Sequence, residues 1–91
     1  MSDNGKHKTS VALSYDAIGA PKVTASGDGI IADAILHRAR EFDVPIIEDA
    51  KLAELLSTVP LGDEIPSEVY RAVAEILVFI ISVESGLDQS A

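Results

Sequence analysis

Apolar and polar positions alternate in short blocks along this chain, and each block carries the period of one element. Val11–Tyr15 (VALSY) and Lys22–Ala25 (KVTA) are short, β-favouring runs joined by Asp16–Pro21, where Gly19 and Pro21 break the pattern. The short link predicts an antiparallel pair. Ile31, Ile35, Ala39 and Phe42 recur at helical spacing, with Asp33, His37, Arg40 and Glu41 opposite, so the pattern predicts an amphipathic helix over 30–42. Asp28 stands where an N-cap acceptor belongs. Val44–Glu48 (VPIIE) predicts a third strand, with Pro45 at its start. Asp49 predicts the cap of a short helix through Leu56, with Leu52, Ala53 and Leu56 inward, and Val59–Leu61 predicts a fourth strand. After the turn at Gly62-Asp63-Glu64, Ile65–Val83 predicts a final helix with Pro66 near its first position.

That last stretch organises the rest. From Ala72 to Val83 only Glu75 and Ser82 are polar. Val69, Val73, Ile76, Leu77 and Ile80 make one continuous face, and Tyr70, Ala74, Leu77, Val78 and Ile81 widen it almost to a full circle. A helix this greasy is buried or covers its remaining face with a partner. An apolar run of about 12 residues is short of the roughly 20 that cross a bilayer, so membrane insertion is not expected.

The resulting order is β-β-α-β-α-β-α, which predicts a small α/β domain with a four-stranded mixed sheet flanked by helices. Residues 1–9 read as a disordered leader, 10–83 as the domain and 84–91 as a flexible tail.

With 91 residues there is room for one core. A hydrophobic content of 47% and a mean hydropathy of +0.25 are enough to close it. Cysteine is absent, so neither disulfides nor thiolate metal sites are available. The net charge of −8 is uneven: residues 1–45 carry six acids and five bases (−1), residues 46–91 nine acids and two bases (−7). Such a surface repels phosphate backbones and anionic lipid; it would suit a basic partner surface, although acidity for solubility alone is the commoner explanation. The polar N-terminus MSDNGKHKTS has no apolar central region, so no signal peptide is read there.

Candidate chemistry is sparse. Gly27-Asp28-Gly29 ahead of a helix raises the alternative of a small ligand- or phosphate-binding domain, but the full Gly-x-Gly-x-x-Gly pattern is missing and Asp28 would repel an anion. His7 and His37 lack a second ligand at metal spacing. Glu48-Asp49 and Asp63-Glu64 sit at element ends, where carboxylates cap and solvate, and Ser14 and Ser26 have no base. No enzyme, metal or cofactor is expected.

Five segments in order, VALSYD (11–16), APKVTASGDGIIA (20–32), VPIIED (44–49), LAELL (52–56) and GDEIPSEVYRAVAEIL (62–77), resemble the cytoplasmic C-terminal domain of the FlhB/YscU export-switch family of flagellar and type III secretion systems. The resemblance runs from about Val11 to Val83. It implies a cytoplasmic protein-binding module, peripheral at the flagellar basal body. Its partners would be export-gate proteins and export substrates or the hook-length regulator, met through an apolar patch at Ala20, Pro21, Ala74 and Leu77. Of these, Ala20 and Pro21 are the better candidates, because loops carry function more often than core positions. A bulky charge at Pro21 is expected to weaken binding without unfolding the domain.

Two departures stand beside the match. Full-length members carry a transmembrane half, which has no counterpart in this sequence. The family also cleaves itself at an Asn-Pro-Thr-His motif whose positions here hold Gly5, Lys6, His7 and Lys8. That cleavage needs an asparagine amide to attack its own carbonyl, with proline restricting the peptide that breaks. Gly5 has no side chain and Asn4 is one residue out of register, so no autocleavage is expected. The resemblance therefore implies a stand-alone, uncleaved counterpart that substitutes for or modulates the full-length switch domain, or a vestigial copy of it.

Overall fold

The structure, a computed structural model, describes residues 8–85. Its strands are β1 (Thr9–Ser14) and β2 (Lys22–Asp28); its helices are α1 (Ile30–Glu41), α2 (Ala50–Leu56) and α3 (Tyr70–Ser85), the last entered through a 3-10 turn at Ser67–Val69. The expected four-stranded mixed sheet is not formed: β1 and β2 make a two-stranded antiparallel sheet. The paired segments are longer than the apolar runs, because Thr9 pairs with Asp28 and Ser14 with Lys22. The register slips between Ala12 and Leu13, which leaves Thr24 out of the pairing, and its hydroxyl donates to the Ala12 carbonyl at 3.3 Å.

Both missing strands have a local cause. A strand at Val59–Leu61 would need extended backbone, but Val59 N–H donates to the Leu56 carbonyl at 3.0 Å and Asp63 N–H to that of Pro60 at 3.1 Å, so 56–63 winds as turns. The edge of β2 is instead met by 62–65, where Val23 N–H donates to the Asp63 carbonyl, Gly62 N–H to that of Val23, and Ile65 N–H to that of Pro21. This contact amounts to an isolated bridge between Lys22 and Glu64. Val44–Glu48 runs without a ladder. Pro45 has no N–H to give, and no backbone hydrogen bond ties 45–48 to another described residue.

Helix α1 packs across both strands through the fully buried Ala32. Ile31 and Phe42, expected inward, are 56% and 66% exposed, so the true inner face is rotated toward Ala32, Ile35, Leu36 and Ala39. Asp28 is not the cap of this helix. Gly29 occupies the cap with φ 54°, and the Asp28 carboxylate accepts from the Thr9 hydroxyl at 2.8 Å. The helix ends with Asp43 in the left-handed region (φ 57°), Asp43 N–H on the Arg40 carbonyl and Val44 N–H on that of Ala39, the paired bonds of a Schellman motif. Asp49 does cap α2 as expected, accepting from Leu52 N–H at 3.0 Å.

Of the expected leader, Lys8 and Thr9 are tied to the domain. Lys8 meets Gly29 through its carbonyl (2.9 Å) and Asp33 through its ammonium (2.9 Å), and Thr9 opens β1. The remainder of the leader, 1–7, and residues 86–91 of the tail lie outside the described residues. The core is Val23, Leu52, Leu56, Ile65, Val69 and Val73, with Val11, Leu13, Ala20, Val59, Ile76 and Leu77 packed around it. Thus β2, α2 and the beginning of α3 share one small interior, and the later turns of α3 carry the exposed apolar side chains Val78, Phe79, Ile81 and Val83.

Candidate functional site

The β1–β2 connection is shaped by its own hydrogen bonds. Asp16 accepts from Ile18 N–H at 3.0 Å, and Ala17 takes a positive φ of 67°, which turns the chain at that point. The bond from Ile18 N–H holds the Asp16 carboxyl below its ordinary value. Ile18 projects from this turn, 88% exposed.

At the far end of the loop, Ala20 is half-buried against the core and Pro21 is buried. The Pro21 carbonyl accepts from Ile65 N–H at 2.9 Å, so this residue fastens the loop to the entry of the last helix. On α3, Ala74 is exposed and Leu77 half-buried against the same core. The four residues therefore divide by accessibility. Pro21 acts within the fold, Ala20 and Leu77 offer partial surfaces, and Ala74 is open.

Neighbours of Ala74 extend the open surface. At about 100° per residue, Tyr70, Ala74, Leu77, Val78 and Ile81 fall on one flank of α3. Tyr70, Val78 and Ile81 are 47%, 63% and 54% exposed. Exposed aromatic and aliphatic groups collected on one flank are what a protein interface uses at its centre. This second row is visible in the order of residues. The sealing of the loop's proline is not, since burial of Pro21 depends on a bond to Ile65, 44 positions away in the chain.

The Gly27–Gly29 turn is occupied by structural contacts. Gly29 N–H donates to the Lys8 carbonyl, Asp28 holds Thr9, and a Cβ at Gly27 would run into the Ile31 side chain. Gly27 is thus explained by the close approach of α1 to β2. His37 lies on the outer face of α1 beside Glu41, and among the described residues no group of three or more His, Asp or Glu stands together as a metal site would require. No helix among the described residues is long and apolar enough to cross a membrane.

Comparison with known proteins gives this surface a context. The family model described as "FlhB HrpN YscU SpaS Family" matches residues 4–80. The uncharacterized protein YlqH of Bacillus subtilis is 38% identical over 89 residues, covering 96% of each chain. The flagellar biosynthetic protein FlhB of Escherichia coli is 42% identical over 74 residues, which are 78% of this chain and 19% of that one. The chain thus spans about a fifth of the length of that FlhB. Among solved structures, the cytoplasmic domain of FlhB from Shewanella putrefaciens superposes with a TM-score of 0.79 at 28% identity, covering 89% of this chain and 69% of that one.

Proposed function

Because the chain belongs to the FlhB HrpN YscU SpaS family, matched over residues 4–80, we propose that it is a non-catalytic protein-binding module of the flagellar or type III export apparatus, working without self-cleavage. A role in that export machinery follows from the family. The finer reading is that this domain substitutes for, or modulates, the cytoplasmic domain of a full-length FlhB. The observation that carries it is the pairing of a retained fold with altered chemistry: the fold is similar to that of an FlhB cytoplasmic domain, while Gly5-Lys6 stands where the family's cleavage would need Asn-Pro.

Glycine at the attacking position removes the nucleophilic amide altogether, and no rearrangement of neighbours replaces it. What remains is recognition. The exposed flank of Tyr70, Ala74, Val78 and Ile81, with the half-buried Leu77 on the same row, supplies an apolar docking face on an acidic protein. Such a face fits the export-gate proteins, the export substrates or the hook-length regulator at the cytoplasmic side of the basal body.

Two measurements test this. Intact-mass spectrometry of the purified 91-residue protein should give one species; a fragment beginning near residue 5 would refute the absence of cleavage. A pull-down should retain the gate's membrane protein or the hook-length regulator on the wild-type chain and lose it on Ala74→Asp. Capture of neither by the folded wild-type protein would overturn the export reading.

A further inference from the structure

The flank of α3 opposite Ala74 meets the segment 44–49, and between them lies a shallow groove lined by Ile47, Asp49, Ala72, Glu75, Ile76 and Phe79. Three observations converge there. Ile46, Ile47 and Phe79 are 39%, 43% and 59% exposed, so the groove is apolar and open. Backbone groups of 45–48 make no hydrogen bond to any described residue, although Val44, Ile46 and Ile47 are β-branched and the segment leaves through an extended Asp49 (φ −156°, ψ 92°). The third is charge. Asp49 and Glu75 flank the groove and Glu48 adjoins it in sequence, within a half of the chain that carries nine acids against Lys51 and Arg71. Arg71 reaches Glu75 only at 3.9 Å, with both side chains largely in water, so Glu75 keeps most of its attraction for another cation.

From these we infer that the groove is a second docking site, and that its occupant is an extended segment of another protein, alternating apolar and basic side chains, which pairs with the backbone of Ile46–Glu48. Unpaired N–H and C=O groups along a β-favouring run are a template for an added strand. With a strand period of 2, the apolar row of the incoming side chains faces Ile47, Ile76 and Phe79, while the basic row lies on the Glu48 face and offers ammonium or guanidinium groups to Glu48, with Asp49 and Glu75 at the groove adding to the attraction. A second copy of this chain fits poorly as occupant, since two bodies of charge −8 repel. Nothing in this inference requires the export role: it concerns a different flank of α3 from that of Ala74 and is tested on the purified protein alone.

The probe is a labelled synthetic decapeptide alternating lysine and valine, titrated into the 15N-labelled 91-residue protein, with a glutamate–valine peptide as control. Amide shifts should centre on Ile46–Glu48 and on Ala72–Phe79, with slowed hydrogen exchange at Ile47, whose N–H faces the added strand while those of its two neighbours face the other edge. Glu75→Lys and Phe79→Ser should each weaken binding roughly tenfold. Both are surface changes, so their thermal unfolding should match the parent's. Ile47→Pro, which deletes one backbone donor, should weaken binding as well. Equal binding of the two peptides, shifts confined to the Ala74 flank, or an unimpaired Ile47→Pro would each overturn the proposal. So would sedimentation showing self-association that Glu75→Lys abolishes, because the groove would then belong to a second copy.

Discussion

Val23 and Asp63 are joined by a 3.0 Å hydrogen bond from the Val23 N–H to the Asp63 carbonyl, and Gly62 returns a 2.7 Å bond to the Val23 carbonyl. The Val23 side chain is fully buried at the centre of the core. One residue therefore ties the sheet to the approach of the last helix through its backbone and fills the interior with its side chain. Val23→Ala keeps the backbone bonds and leaves a cavity. It should lower stability by about 2 kcal/mol, or roughly ten degrees in Tm for a chain this short, read by thermal or urea unfolding.

Gly27 sits where α1 comes closest to β2. A Cβ there would strike the Cγ2 and Cβ of Ile31. Gly27→Ala should cost about 1–3 kcal/mol by overpacking. Ile31 is 56% exposed, so Ile31→Ala alone should change little. The double variant should recover part of the loss, and a double-mutant cycle measures that coupling. Strict additivity would show that Gly27 is needed for something other than this contact.

Pro21 and Ala74 should part company when charged. The loop position of Pro21 alone would make a bulky charge there weaken binding while the domain stays folded; its burial, and the bond its carbonyl makes to Ile65, point instead to a loss of stability. Pro21→Asp buries a carboxylate and should lower the thermal midpoint sharply. Ala74→Asp, on an exposed position, should stay within about 0.5 kcal/mol of the parent while weakening capture of an export component. The two are separated by circular dichroism melts run beside the pull-down.

The loop tip should respond to acid. Hydrogen bonding from Ile18 N–H favours the charged form of Asp16 and lowers its pKa from the ordinary 3.8. A lowered folded-state value means the carboxylate's contribution is complete above about pH 3.8 and fades as pH falls through the lower, folded value. The Ile18 amide resonance should therefore titrate below that pH, and in Asp16→Asn this titration should vanish.

How far the residues spelled out the fold differs by element. Helical periods located α1, α2 and α3, and the Asp49 cap was readable because a side-chain acceptor three residues ahead of Leu52 is a local arrangement. The pair β1–β2 was readable from its short connection. The other two strands failed because a ladder requires a neighbour, which composition cannot supply. Val44–Glu48 has strand-like residues but no ladder partner among the described residues, and Val59–Leu61 is held in turns by bonds to its own surroundings. Asp28 departs from its expected cap role for a similar reason, its carboxylate being engaged across the sheet by Thr9. The Ala74 flank was visible as a row of apolar letters. The groove on the other side needed the position of Ile47 against Ile76 and Phe79, which is tertiary information.

Only a narrow stripe of α3 and its entry turn, centred on Val69 and Val73, is committed to the interior. Its two outer flanks lie on opposite sides of that stripe and touch the core only through Ile76 and Leu77, so the exposed Val78 and Ile81 on one side and Phe79 on the other can be redesigned, or drift in sequence, without disturbing the packing beneath. Ligands seated on opposite flanks would not exclude one another, so saturating one should leave the affinity for the other unchanged.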